Sequence, residues 1–182
     1  MGRLMNRRNA RMNAFAVERL EVQASDRILE IGFGGGVNLP ALIAAAKFVG
    51  GVDPSHYVVK RAAAKFANAV QAGRADFRLG AADSIPFETG HFQKVGTVNT
   101  VYFWKSLDAG FAEIRRVLAP RGRIVVGFLP KEWMDRMGMP ADIFTPRTPE
   151  EVVGALERAG FGDVHVSRPR PSTAWNAIVA NR

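Results

Sequence analysis

No cysteine occurs in the 182 residues, which excludes disulfides, thiolate nucleophiles and cysteine-held zinc or iron–sulfur clusters. No segment approaches the ~18 consecutive apolar residues of a membrane-spanning helix; the densest stretch, residues 41–46, is only a helix face. The first residues lack the apolar core of a secretory signal. They are arginine-rich and acid-poor, as in a mitochondrial transit peptide, but residues 1–20 contain no serine or threonine. The chain is therefore expected to be cytoplasmic. Histidine is scarce too: His56, His91 and His165 stand far apart with no metal-ligand spacing, so no metal is expected.

The net charge of +8 gathers at the two ends. Residues 1–20 hold five arginines against Glu18 alone, and residues 164–182 hold Arg168, Arg170 and Arg182 with no acid. The body between is close to neutral, unlike a uniformly basic nucleic-acid binder, so nucleic acid is not the expected partner. In the first segment Met5, Met12, Phe15, Ala16 and Leu20 share one helical face, with Arg3, Asn6, Arg7 and Arg11 on the other. Residues 1–24 are thus expected to form an amphipathic helical extension ahead of a domain at 25–182. Three readings of it stay open: packing on that domain as a lid, peripheral contact with an anionic membrane through residues 1–20, or RNA contact.

Strand-length apolar runs alternate with helical stretches, the pattern of an α/β fold with a parallel sheet covered by helices. Strands are expected at 27–31, 48–52, 75–79, 95–101 and 123–128, with a closing pair at 163–166 and 174–180. Helices are expected at 38–46, 55–71 with Ser55 as N-cap, and 108–118, the last stopped by Ala119-Pro120-Arg121-Gly122. Thr148-Pro149-Glu150-Glu151 opens a final helix with an N-cap, a first-turn proline and a capping-box glutamate. Residues 129–147 read as an irregular segment.

The most informative segment is the strand, turn and helix around Glu30-Ile31-Gly32-Phe33-Gly34-Gly35-Gly36. Glycines let a ligand approach main-chain N–H groups at a helix N-terminus. Asp53 ends the next strand, where a carboxylate can accept hydrogen bonds from a ribose diol. The dinucleotide pattern fails, because its third small position falls on Val37 counted from Gly32 and on Leu39 counted from Gly34. Glu30, beside the first glycine, would repel phosphate and welcome an ammonium group. Together these features point to a zwitterionic, nucleoside-containing cofactor.

On LEIGFGGG at Leu29–Gly36, GVDPS at Gly51–Ser55, SIPF at Ser84–Phe87 and EIRRVLAPRGRIVV at Glu113–Val126, the sequence resembles the class I S-adenosylmethionine-dependent methyltransferases, in particular the small type 11 group. The resemblance implies a Rossmann-like, seven-stranded, mostly parallel sheet in the order 3-2-1-4-5-7-6, helices on both faces, and S-adenosyl-L-methionine as cofactor. It also implies that Gly32, Gly34 and Gly36 wrap the methionine part, Glu30 helps hold its ammonium and Asp53 takes the ribose. In the adenine-contacting loop Ala81 stands where relatives carry an aspartate. The backbone N–H of Ala82 can still reach the ring, and Asp83 either takes over the exocyclic amine or is an exposed loop acid. Asn99 falls on the strand edge that the resemblance sets beside the methyl group, followed by Tyr102, Phe103 and Trp104, which read equally as an acceptor wall or as sheet-edge packing.

The implied activity is methyl transfer to a small, hydrophobic acceptor. Transfer from a sulfonium works largely by positioning, so no catalytic side chain is expected to stand out. Two competitors remain: N-methylation of a phospholipid ethanolamine head group at a membrane surface, and a cofactor-binding module without turnover.

Overall fold

The structure, a computed structural model, describes residues 2–140 and 142–182, with side chains from Asn9 onward. Arg3, Met5, Asn6 and Arg7 of the amphipathic pattern thus lie outside the described side chains. Seven strands, β1 (Arg27–Ile31), β2 (Phe48–Asp53), β3 (Ala75–Leu79), β4 (Phe92–Val98), β5 (Leu118–Phe128), β6 (Gly162–Ser167) and β7 (Asn176–Asn181), form one sheet in the order β3-β2-β1-β4-β5-β7-β6. The first five pair in parallel, while β7 runs antiparallel to β5 and to β6. This is the expected topology, with the polarity reversed only at β7.

Helices cover both faces. Alternation along each strand divides the core in two: Ile124, Val126, Ile178 and Ala180 face one side, and Val125, Ala177 and Val179 the other. The first side is closed by α5 (Leu107–Val117) and α7 (Pro149–Arg158), through Phe111, Ile114, Val152 and Leu156. The second is closed by α1 (Gly2–Leu20), α2 (Leu39–Ala45) and α3 (His56–Lys65). Met12, Phe15, Ala16 and Leu20 of α1 are buried there, and a Cβ at Gly96 would stand 3.2 Å from Leu20 Cδ1, so the glycine leaves room for the helix. Phe15 also packs edge-on against Trp175, with centroids 5.3 Å apart. The Arg123 guanidinium secures the end of the helix, bonding the Arg19 carbonyl at 3.2 Å and the Glu21 carboxylate at 2.6 Å.

Several boundaries differ from the sequence expectation. The expected helix at 55–71 is broken at Phe66 (φ −110°, ψ 29°), whose ring packs on Phe77, and α4 (Ala67–Gln71) follows. β4 starts three residues earlier than expected and stops at Val98, because Asn99 takes φ 59° and a 3₁₀ turn follows at Val101–Phe103. β5 begins directly after α5, at Leu118. Its Pro-Arg-Gly stretch is an irregularity within the strand, where Arg121 N–H bonds the Arg182 carbonyl and Arg182 N–H bonds the Gly122 carbonyl. The segment expected to be irregular contains α6 (Lys131–Arg136). Thr148 and Glu151 make the expected capping box.

Candidate active site

At the carboxyl ends of β1, β2 and β4 the chain encloses a cavity of about 580 Å³, within the usual range of small-molecule sites. Its floor is built by the turn after β1. Gly32 takes φ 68°, Gly34 φ 46° and Gly36 φ 69°, the left-handed region that glycine adopts without penalty. Nothing stands within 4 Å of where a Gly34 Cβ would be, so the turn is open to a ligand there. At Gly32 a side chain would collide with Thr100 Cγ2, and buried Thr100 is in turn held by Thr97, whose Oγ1 also bonds the Ile31 carbonyl at 3.0 Å.

Asp53 ends β2 on one wall. Its carboxylate, 6% exposed, accepts a hydrogen bond from Gly34 N–H on Oδ2 and one from Ser55 N–H on Oδ1, both at 2.9 Å. Both oxygens keep lone pairs for a ligand. Ala82 and Asp83 line the cavity from the loop after β3, Ala82 buried and Asp83 exposed. Asn99 lines it from the end of β4.

The fold thus gathers Gly32, Gly34, Asp53, Ala82, Asp83 and Asn99 around one cavity. Two other expected residues sit off its surface. Gly36 faces a small groove with Val58, Arg61 and Lys65. Glu30 lies behind the glycine turn, 5% exposed, its Oε1 accepting from Asn38 Nδ2 at 2.7 Å. Its other oxygen is buried with no partner among the described residues. Burial pushes the Glu30 carboxyl up to about 7, partly opposed by the Asn38 hydrogen bond.

Sequence reasoning missed Thr100, and also Lys105 and Ser106, which line the same cavity; Ser106 also caps α5, accepting from Ala109 N–H. It missed a second cavity outright. Asn99 and Phe103 of the first also border a space of about 240 Å³ whose other walls are Asn9, Met12, Met134, Met137, Met139, Phe144 and neighbouring aromatic and aliphatic side chains. Phe103, 57% exposed, stands at the junction with its ring 5.1 Å from that of Phe144. Tyr102 is buried beside it, its hydroxyl accepting from Leu129 N–H and donating to Asn99 Oδ1 at 3.1 Å. Trp104 lines the first cavity and packs on Phe111, centroids 5.3 Å apart.

Residues 29–126 match the family model described as "Methyltransferase domain", just over half of the chain. The chain belongs to that methyltransferase family. It is an enzyme of this class with the Rossmann-like methyltransferase fold. Among curated proteins it is 26% identical over 170 residues to the uncharacterized methyltransferase YdaC of Bacillus subtilis, covering 91% of this chain and 87% of the relative. It is 27% identical over 115 residues to the ubiquinone/menaquinone biosynthesis C-methyltransferase UbiE of Geotalea daltonii. That match covers 62% of this chain and 49% of UbiE, so the chain spans about half of that relative. Among solved structures, the S-adenosylmethionine-dependent methyltransferase from Mesorhizobium loti superposes with a TM-score of 0.77 at 17% identity, over 93% of this chain and 96% of that one.

Proposed function

We propose that the enzyme transfers a methyl group from S-adenosylmethionine, its cofactor, to a small apolar acceptor. The observation that carries this reading is the meeting of two cavities at Asn99 and Phe103, one bounded by the glycine turn and the Asp53 carboxylate and one lined by methionine and aromatic side chains. The cofactor suits the first. Asp53 accepts the ribose hydroxyls, and the Glu30 carboxylate, buried behind the glycine turn, draws the ammonium by its charge rather than by contact. Gly32, Gly34 and Gly36 shape the turn around the methionine part. Ala82 N–H and the Asp83 carboxylate take the adenine edge, and Asn99 lies toward the reacting end.

When bound, S-adenosylmethionine supplies an electrophilic methyl carbon on a sulfonium leaving group. The chain's own contribution is to hold the acceptor against that carbon and exclude water, an entropic advantage of several kcal/mol. Met12, Phe144 and their neighbours hold an apolar body by burial and sulfur–aromatic contact. Contact of α1 with an anionic membrane has less support: in its described part the apolar face, Met12, Phe15, Ala16 and Leu20, is buried against the sheet.

Titration calorimetry tests the cofactor site. S-adenosylhomocysteine should bind and NAD should not; binding of NAD instead would overturn the reading. Asp53→Asn should weaken S-adenosylhomocysteine at least tenfold, since each charge-assisted hydrogen bond contributes about 1.5–3 kcal/mol. Unchanged affinity would mean that the ribose is held elsewhere.

A further inference from the structure

The second cavity has a chemical peculiarity. Among the described residues that line it there is no His, Asp, Glu, Lys or Arg. Residues 1–8 add no His, Asp, Glu, Lys or Tyr, and position 141 is alanine. The one titratable lining group is Tyr102, whose hydroxyl is occupied by Leu129 N–H and Asn99 and whose burial raises its pKa above the ordinary phenol value. The charges of α6 pair with one another on its exposed side, Lys131 with Asp135 at 3.0 Å and Arg136 with Glu132 at 2.7 Å. On α1, Arg11 is exposed and Arg19 pairs with Glu18 at 2.9 Å. Asp53, Asp83 and Lys105 line the neighbouring cavity, where Asp53 is already held by two backbone N–H groups. No described group on the acceptor side is placed to remove a proton from an acceptor.

We propose, building on the function above, that the acceptor is an apolar thiol, with its sulfur at Asn99 and Phe103 and its hydrocarbon among the methionines, and that it reacts as the thiolate it forms in water. Without a base, a thiol, a phenol or an alkylammonium must lose its proton to water before it can react. At pH 7.5 a thiol with an ordinary pKa near 8.5 is about 10% thiolate, a phenol near 10 about 0.3% phenolate, and an alkylamine near 10.4 about 0.1% free base. The thiol also becomes the strongest nucleophile of the three when ionised. A carboxylate is fully ionised but weakly nucleophilic, so ionisation alone does not favour it. Four of the chain's six methionines line this space, soft thioethers suited to a polarisable sulfur.

The step balances. The thiolate lone pair forms the new carbon–sulfur bond as the methyl carbon's bond to the sulfonium sulfur breaks, and that bonding pair stays on the departing sulfur. A methyl thioether and S-adenosylhomocysteine result, both uncharged at sulfur; the thiol proton has already passed to water. Charge is annihilated, which a low-dielectric cavity favours.

The test gives the full-length protein and S-adenosylmethionine matched acceptors: thiophenol, phenol and aniline, and hexanethiol, hexylamine and hexanoate. S-adenosylhomocysteine and the methylated product are quantified by mass spectrometry, and S-adenosylhomocysteine binding is measured separately by calorimetry. Expected is methyl thioether formation at least tenfold faster than methylation of the matched oxygen or nitrogen compounds. The inflection of kcat/KM with pH should lie lower for the aryl thiol than for the alkyl thiol, tracking each acceptor's own ionisation. Tyr102→Phe should move the rate but not that inflection. Turnover of phenol, amine or carboxylate in preference to thiol would overturn the proposal, as would an inflection that stays put across thiols. Cofactor binding with no thiol product would overturn it while leaving the cofactor reading intact. Loss of cofactor binding would overturn both.

Discussion

Asn38 donates both hydrogens of its side-chain amide, one to Glu30 Oε1 at 2.7 Å and one to Asn13 Oδ1 at 2.8 Å. The residue occupies the N-cap position of α2, yet its side chain makes no cap hydrogen bond, because the amide is turned inward. One buried side chain thereby joins the acid beneath the glycine turn to α1, which walls the second cavity through Met12 and Asn9. Asn38→Ala leaves a buried carboxylate without its donor, a change that typically costs about 1–3 kcal/mol. Urea unfolding should show the loss at pH 8 and a smaller one at pH 5, where Glu30 is protonated; equal losses would mean that the Asn13 bond alone matters.

Glu30 sets a pH dependence of definite sign. Its carboxyl is raised from the ordinary value to about 7 in the folded chain by burial, so the folded state holds a proton that the unfolded state releases near 4.5. Stability from this group is present in full below that lower value and falls as pH rises toward 7, by on the order of 3 kcal/mol. Ammonium binding requires the charged form, so cofactor affinity should move the other way and rise through pH 7. Glu30→Gln should flatten the stability profile and weaken S-adenosylhomocysteine at pH 8. A variant retaining the wild-type stability profile would assign the pH effect to another group.

Gly32 and Thr100 form a steric lock. Gly32→Ala must accept φ 68° and a methyl driven against Thr100 Cγ2, at a combined cost of about 2 kcal/mol or more. Adding Thr100→Ser removes that methyl and keeps a hydroxyl for Thr97, so the double variant should recover part of the loss in thermal unfolding. No recovery would show that backbone conformation, not contact, limits the site.

Deleting residues 1–20 would strip Met12, Phe15, Ala16 and Leu20 from the second face of the sheet and leave Val125, Ala177 and Val179 uncovered. Burial of the four side chains contributes several kcal/mol at ~25 cal/mol per Å². The truncated chain should be insoluble or bind an apolar dye. A well-folded, soluble truncation would show that the helix is dispensable to the core.

Much of the architecture was legible because it is coded locally. The capping box of Thr148 and Glu151, the N-cap Ser55 and the glycine turn after β1 each depend on residues within a few positions. The boundaries that differed were set from outside the segment. Val98 ends β4 because Asn99 turns back to receive α1 and Tyr102, and the Pro-Arg-Gly stretch stays in β5 because the chain terminus pairs with it. Asn9 and Asn99, like Arg121 and Arg182, stand far apart in the chain, so no short window of sequence contains both.

The sequence by itself determined the parallel sheet, the glycine turn and the carboxylate at Asp53, since period, turn chemistry and strand-end placement are short-range properties of the chain. Only the tertiary structure decided that Glu30 lies buried behind the turn, bonded through Asn38 to α1, and that Met12 shares a cavity with Met134, Met137 and Met139 from far along the chain. A methionine carries no mark of its destination in its neighbours. Its role is fixed when the sheet closes, because dispersion and exclusion of water act between whatever surfaces the fold brings within contact.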